Sequence, residues 1–281
     1  MQLPLRIAMV SAECAPFAKT GGLADVAAAL SRTLWKRGHQ VRLFVPLYGR
    51  IERSGLQTEP FLSPFPVSFP GWDVPVAVRK APLPDSENAD GVPLQVEFIH
   101  SPELFGREEL YTNDDDEPIR WAGFCRAAIE ACQRTGWAPD VFHANDWHTG
   151  LLPLLLKSTY GWDDLLRGSS TLLSIHNLGY QGVFAEDAIR RIGLEGVRDQ
   201  FHQERLAAGA VNYPPQNNAA YAPAAPSPDA VPIGAPAPMQ PGVQPGQPAA
   251  VQVPVAAYQA EAYGAGHAAP NAGPVQGRLG D

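Results

Sequence analysis

Cysteine is scarce in this chain, with Cys14, Cys125 and Cys132 the only three among 281 residues. Three thiols make no disulfide framework of the kind that staples small secreted domains, and a reducing cytoplasm is the simplest compartment for them. Cys125 and Cys132 stand one helical heptad apart, which places both on one buried face as small hydrophobes. Long apolar runs are missing too. No stretch reaches the roughly eighteen residues needed to span a bilayer, and no apolar segment near the start leads into a small-residue cleavage site. Nor is there a surplus of basic charge, since 21 Lys and Arg face 29 Asp and Glu for a net charge of -8. That balance argues against non-specific nucleic-acid binding and gives no basic membrane-binding patch.

Charge itself runs out in the last quarter of the chain. From Ala208 onward only Asp229, Glu261, Arg278 and Asp281 are charged, and fourteen prolines fall between Pro214 and Pro274. Such a density bars helices and central strands. With few Leu, Ile or Phe, this stretch has too little apolar surface to offset the entropy of ordering it. Residues 207–281 are therefore expected to form a disordered, low-complexity tail rich in Pro, Ala, Gly and Gln, with local polyproline II. Residues 1–206, of mixed composition, are expected to form the folded part.

Within that part the hydrophobic period alternates. Leu5 to Val10 reads as a buried strand, Leu23 to Lys36 as an amphipathic helix and Gln40 to Pro46 as a second strand, together a βαβ unit. Leu56 to Pro93 is Pro-rich and reads as irregular, with short strands around Val67 and Val76. Strands are expected at Leu94 to Ile99, Val141 to Ala144 and Ser170 to Ile175. Helices are expected at Pro118 to Arg134, at Thr149 to Thr159 and from Ala185. The alternation predicts an α/β fold with a doubly wound, Rossmann-like parallel sheet.

Three loops after predicted strands carry the chemistry. Lys19-Thr20-Gly21-Gly22-Leu23-Ala24-Asp25 joins the first strand to the first helix, where free N–H groups and a lysine suit a diphosphate. It lacks the G-x-G-x-x-G of dinucleotide sites and the Gly-Lys-Ser/Thr of a P-loop. A tight turn with a solvated lysine is the plain alternative. His143-Ala144-Asn145-Asp146-Trp147-His148 follows another strand. Its His143, Asp146 and His148 are of metal-binding type and would suit a metal-dependent hydrolase. Asp146 and His148 are equally suited to polyol hydroxyls, with Trp147 as an apolar face, or to capping a helix. His176-Asn177-Leu178-Gly179-Tyr180-Gln181-Gly182 is the third loop, at the same sheet edge.

KTGGLADV, HANDWHTGLLP and SIHNLGYQGVF, in that order and spacing, resemble the bacterial glycogen synthase and starch synthase family over roughly residues 5–206. The resemblance implies the N-terminal, acceptor-side half of a GT-B enzyme that moves glucose from ADP-glucose to an α-1,4-glucan with retention, without metal or cofactor. It places Lys19, Gly21 and Gly22 against the diphosphate and glucose. Asp146 and His176 become the catalytic pair, hydrogen-bonding the transferred glucose, with Asn177, Trp147 and His148 lining the pocket. Tyr111 falls where the family has an aromatic near the acceptor path, although the DDDEPIRWAGF that follows departs from the family's wording. Agreement fades near FHQERLAAGAVNYPP, before the family's second, nucleotide-binding domain. The chain alone is therefore expected to have little or no transfer activity. A frameshift or gene-model error would explain such a junction, and a non-catalytic glucan- or partner-binding remnant is the alternative reading.

Overall fold

The computed structural model describes residues 3–201 and the backbone of Ala210–Asn212. In chain order the elements are β1 (Arg6–Ser11), α1 (Gly22–Lys36), β2 (Gln40–Pro46), α2 (Gly49–Arg53), β3 (Glu59–Phe69), β4 (Trp72–Pro82) and β5 (Gln95–His100), then α3 (Pro102–Phe105), α4 (Glu117–Arg134), β6 (Val141–Asn145), α5 (Leu152–Lys157), β7 (Ser170–Ser174), β8 (Val183–Ala185), α6 (Ala188–Arg191) and β9 (Ala210–Asn212). Apart from β9, the expected tail lies outside the described residues. Seven strands make one sheet in the order β3-β4-β5-β2-β1-β6-β7. From β5 to β7 every pairing is parallel, as a doubly wound fold requires.

The central strands are near-continuous apolar runs because helices cover them: Ala8, Met9 and Val10 of β1 and Leu43, Phe44 and Val45 of β2 are fully buried. α1 packs on β1 and β2, and α4 packs on β3, β4, β5 and α5. Cys125 and Cys132 do share the buried face of α4. All three cysteines are free and buried, and burial pushes each thiol up to about 12, which makes it inert. One carboxylate is tied into this sheet. Glu97 on β5 is held between Arg42 of β2 and Lys80 of β4, the latter at 3.3 Å. Among the described residues no helix is long and apolar enough to cross a membrane.

Three expectations about elements need correction. Leu56 to Pro93 is not irregular: β3 and β4 are eleven-residue strands forming an antiparallel hairpin that extends the sheet. The prolines are tolerated because β3 is the edge and bulges near Leu62 break its register. Pro75 on β4 lies beyond the reach of β5, whose pairing begins at Ala77. The helix expected from Thr149 is a single 3₁₀ turn over Trp147–Thr149 followed by the short α5. The helix expected from Ala185 begins at Ala188, because Val183–Ala185 is a strand paired with Ala210–Asn212.

Candidate active site

Chain order along the sheet reverses at β1, which lies between β2 and β6. In open α/β sheets the crevice at this point, beyond the carboxyl ends of the strands, is where ligands bind. Ser11, Asn145 and Ser174 are level in the register of β1, β6 and β7. The three loops singled out from the sequence therefore leave the sheet side by side.

Asp146 is the most constrained residue there. It is 6% exposed and its backbone stands at φ 63° and ψ 178°, a region occupied almost only by glycine. Its N–H donates to the Ser174 carbonyl at 2.7 Å, which ties the turn after β6 to the end of β7. Its Oδ1 accepts from the Trp147 N–H at 3.3 Å. Burial raises the Asp146 carboxyl above the usual range, opposed by the N–H groups of Trp147, Asn177 and His176 and by the His176 ring. The structure thus brings Asp146 and the start of the His176 loop together. In that loop the Asn177 Oδ1 accepts from the Gly179 N–H at 2.9 Å, so its side chain shapes the turn.

The first loop is organised by a residue the motif reading passed over. Glu13 is 2% exposed, and its carboxylate accepts from the Thr20 N–H at 2.8 Å, the Thr20 hydroxyl at 2.5 Å and the Gly21 N–H at 3.3 Å. It also accepts from the Tyr111 hydroxyl at 2.6 Å. The signal available in sequence was a lone carboxylate in the apolar stretch around Cys14. Gly21 and Gly22 have open space where a side chain would stand. Lys19 is half exposed and pairs with both carboxylate oxygens of Asp25, at 2.8 and 2.7 Å.

Tyr111 links the first loop to the second, since its ring stacks on His148 at 4.5 Å. Burial, reinforced by Tyr48 and Glu13, raises its phenol. His148 itself is 5% exposed, packed among Tyr111, Trp121 and Trp147. Trp147 packs against Trp121 and Phe184 as well, so its indole is part of the wall. His143 makes a 2.8 Å hydrogen bond with the Ser174 hydroxyl. Among the described residues no three His, Cys, Asp or Glu side chains group as a metal site, and His143, Asp146 and His148 do not converge.

A family model described as the starch synthase catalytic domain matches residues 6–218. The chain belongs to that family. Glycogen synthase 1 of Geobacter sulfurreducens is 40% identical over 196 residues, covering 68% of this chain and 38% of that protein. A glycogen synthase of Moorella thermoacetica is 36% identical over 214 residues, covering 76% of this chain and 41% of that protein. The solved catalytic domain of starch synthase IV from Arabidopsis thaliana, bound to ADP and acarbose, superposes with a TM-score of 0.64 at 26% identity, over 75% of this chain and 42% of that one. The chain thus spans about two-fifths of the length of the glycogen synthases it matches. The three motifs by which the chain resembles this family follow the neighbouring strands β1, β6 and β7, and the family match extends past residue 206.

Two expected results follow from the wall of this site. Gly182 sits at φ +57°, and a Cβ there would overlap the Trp147 indole, with ring carbons at 2.8 and 2.9 Å. Gly182→Ala is expected to displace the indole and cost about 2–4 kcal/mol by backbone strain plus overpacking, read as a lower denaturation midpoint and altered Trp fluorescence. An unchanged midpoint would contradict the packing.

The second concerns pH. Burial, helped by the Arg120 charge, holds the His148 imidazole well below its ordinary range, and burial lowers His143 in the same sense. The wholly buried His148 is held neutral when folded, and His143 shifts in the same sense, whereas the unfolded chain takes up protons near pH 6.5. The unfolded state then binds more protons, so stability falls as pH drops below about 7.5, by up to about 1.4 kcal/mol per pH unit for His148, with His143 adding in the same direction. His148→Gln should flatten that dependence in urea titrations. Asp146 acts in the opposite sense, but in a lower window that starts at the ordinary carboxyl range.

Proposed function

We propose that this chain supplies the acceptor-side half of a retaining glucosyl-transfer cleft, for the passage of glucose from ADP-glucose to an α-1,4-glucan. The observation that carries this reading is that the Lys19, Asp146 and His176 loops leave the neighbouring strands β1, β6 and β7 side by side, with Asp146 in a backbone conformation that costs energy to maintain. The names of the relatives and the ADP and acarbose in the starch synthase IV structure support it. On this reading Lys19 and the open backbone at Gly21 and Gly22 receive the diphosphate. The exposed Lys19–Asp25 pair is worth about 0–1 kcal/mol and yields readily to a stronger anion. Asp146 and His176 hydrogen-bond the transferred glucose, while Asn177, Trp147 and His148 shape the pocket and Tyr111 holds the loops in place. Placing the reactants and stabilising the leaving diphosphate supply most of the rate effect. We place the protein in the cytoplasm, in keeping with its free, buried thiols, and propose a site-bearing domain over 1–206 followed by a low-complexity tail over 207–281.

The test is to titrate maltoheptaose into the purified chain while assaying glucose incorporation from ADP-glucose into glycogen. Saturable glucan binding, weakened about tenfold by His176→Ala at unchanged thermal stability, with little or no transfer, is the expected result. Any transfer present should fall by about 10²-fold or more in Lys19→Ala. Absence of both glucan binding and transfer would sink the reading, and robust transfer would show that this chain suffices by itself.

A further inference from the structure

We infer that Asn145 is a positioning residue that fixes the proton of His176 on Nε2 and leaves Nδ1 as its acceptor. Asn145 ends β6, is 1% exposed and has no route to solvent of its own. Its Nδ2 stands 3.2 Å from the Val10 carbonyl oxygen, 3.1 Å from the His143 carbonyl oxygen and 3.1 Å from the Met9 sulfur. Two carbonyl oxygens beside one atom identify that atom as the amide nitrogen, because a flipped amide would set oxygen against oxygen. Asn145 Oδ1 must then be the atom that meets His176 Nε2 at 3.0 Å. An amide oxygen has no proton to give, so Nε2 must donate. The neighbouring His143 differs. Its partner, the Ser174 hydroxyl, can either donate or accept, and its tautomer is left open.

The amide is itself held by the sheet. Asn145 lies opposite Ser11 on β1 and Ser174 on β7, and its donors reach back to β1 and along β6. The orientation of the His176 ring therefore derives from the rigid strand ends rather than from its own exposed loop. With Nε2 committed, a neutral His176 offers only an acceptor. Beside the Asp146 carboxylate, also an acceptor when ionised, it makes a pair suited to ligands that present O–H donors. That last consequence rests on the proposed function, whereas the tautomer does not.

The experiment is ¹⁵N-histidine NMR on the full chain, with the His176 signals assigned by their loss in His176→Gln. The expected wild-type result is a proton on Nε2, protected from solvent exchange, and an unprotonated Nδ1. In Asn145→Ala the Nε2 proton should exchange about tenfold faster. A wild-type Nε2 without a proton overturns the inference, as does unchanged exchange in a folded Asn145→Ala. Because the wild-type spectrum alone decides the tautomer, failure of a variant to fold leaves the test intact. Glucan binding is measured separately, so loss of the proposed function without loss of the Nε2 proton is a distinguishable outcome.

Discussion

Asp146→Gly is expected to make this protein more stable while it loses saccharide binding. The backbone at φ 63° and ψ 178° is close to glycine-only territory, and holding a side chain there costs on the order of 1–3 kcal/mol. Glycine removes that strain. It also gives up the 3.3 Å hydrogen bond from the Trp147 N–H, worth about 1 kcal/mol, and frees a buried carboxyl. The net is a gain of about 1 kcal/mol for Asp146→Gly. Asp146→Ala loses the same bond and keeps the Cβ, so it should be destabilised by about 1 kcal/mol. The ordering Gly above Asp above Ala in urea midpoint is the signature of stored strain; Gly and Ala equally stable would disprove it. On the proposed function both variants lose the contact with the transferred glucose, and any transfer falls by about 10²–10³-fold.

Arg120→Leu should be the most damaging single change to the fold. Arg120 is wholly buried, yet its guanidinium is fully engaged. Nε donates to the Leu104 carbonyl at 2.6 Å, Nη2 donates to the Leu110 carbonyl at 3.2 Å, and Nη1 pairs with Glu117. Glu117 in turn accepts from the Trp121 indole N–H at 2.8 Å, and Arg107 lies 4.0 Å away. Removing the guanidinium leaves a buried carboxylate whose remaining cation is Arg107, with neutral donors only from Trp121 and from the Thr112 hydroxyl at 2.7 Å, and two orphaned carbonyls. Losing one member of a buried pair costs about 3–5 kcal/mol, against a total stability of about 5–15 kcal/mol for a domain. The measured outcome should be aggregation or a midpoint near the unfolding limit. Arg120→Leu combined with Glu117→Gln should recover a large part of the loss, since the cost lies in the unpaired charge. If the double variant is no better than the single, packing rather than electrostatics holds this region. Trp121 touches Tyr111, Trp147 and His148, so the damage should reach the site wall.

The hairpin of β3 and β4 shows where sequence reading stops. Phe65, Val67 and Phe69 alternate with exposed residues, and Val74, Val76 and Val78 with less buried ones, so a period-two signal was present. Prolines masked it, because a proline's effect depends on which side of the strand needs an N–H, and that is known only once the edge is known. Glu13 and Asn145 were hidden for a related reason. Each is an ordinary polar residue next to a motif, and its importance comes from partners up to about a hundred and thirty positions away.

By itself the sequence determined the βαβ start, the strands β5, β6 and β7, the long helix α4, and the three loops of family type. These are local: hydrophobic period, glycine pairs and motif spacing are properties of neighbouring residues. Only the tertiary structure decided that β1 is the switch point, that Ser11, Asn145 and Ser174 end level, and that Trp147 and His148 pack into the wall beside Asp146. It also decided the Lys19–Asp25 pairing, the strained turn at Asp146 and the amide that orients His176. Those facts depend on strand register and on which faces meet, and register is set by the whole sheet at once.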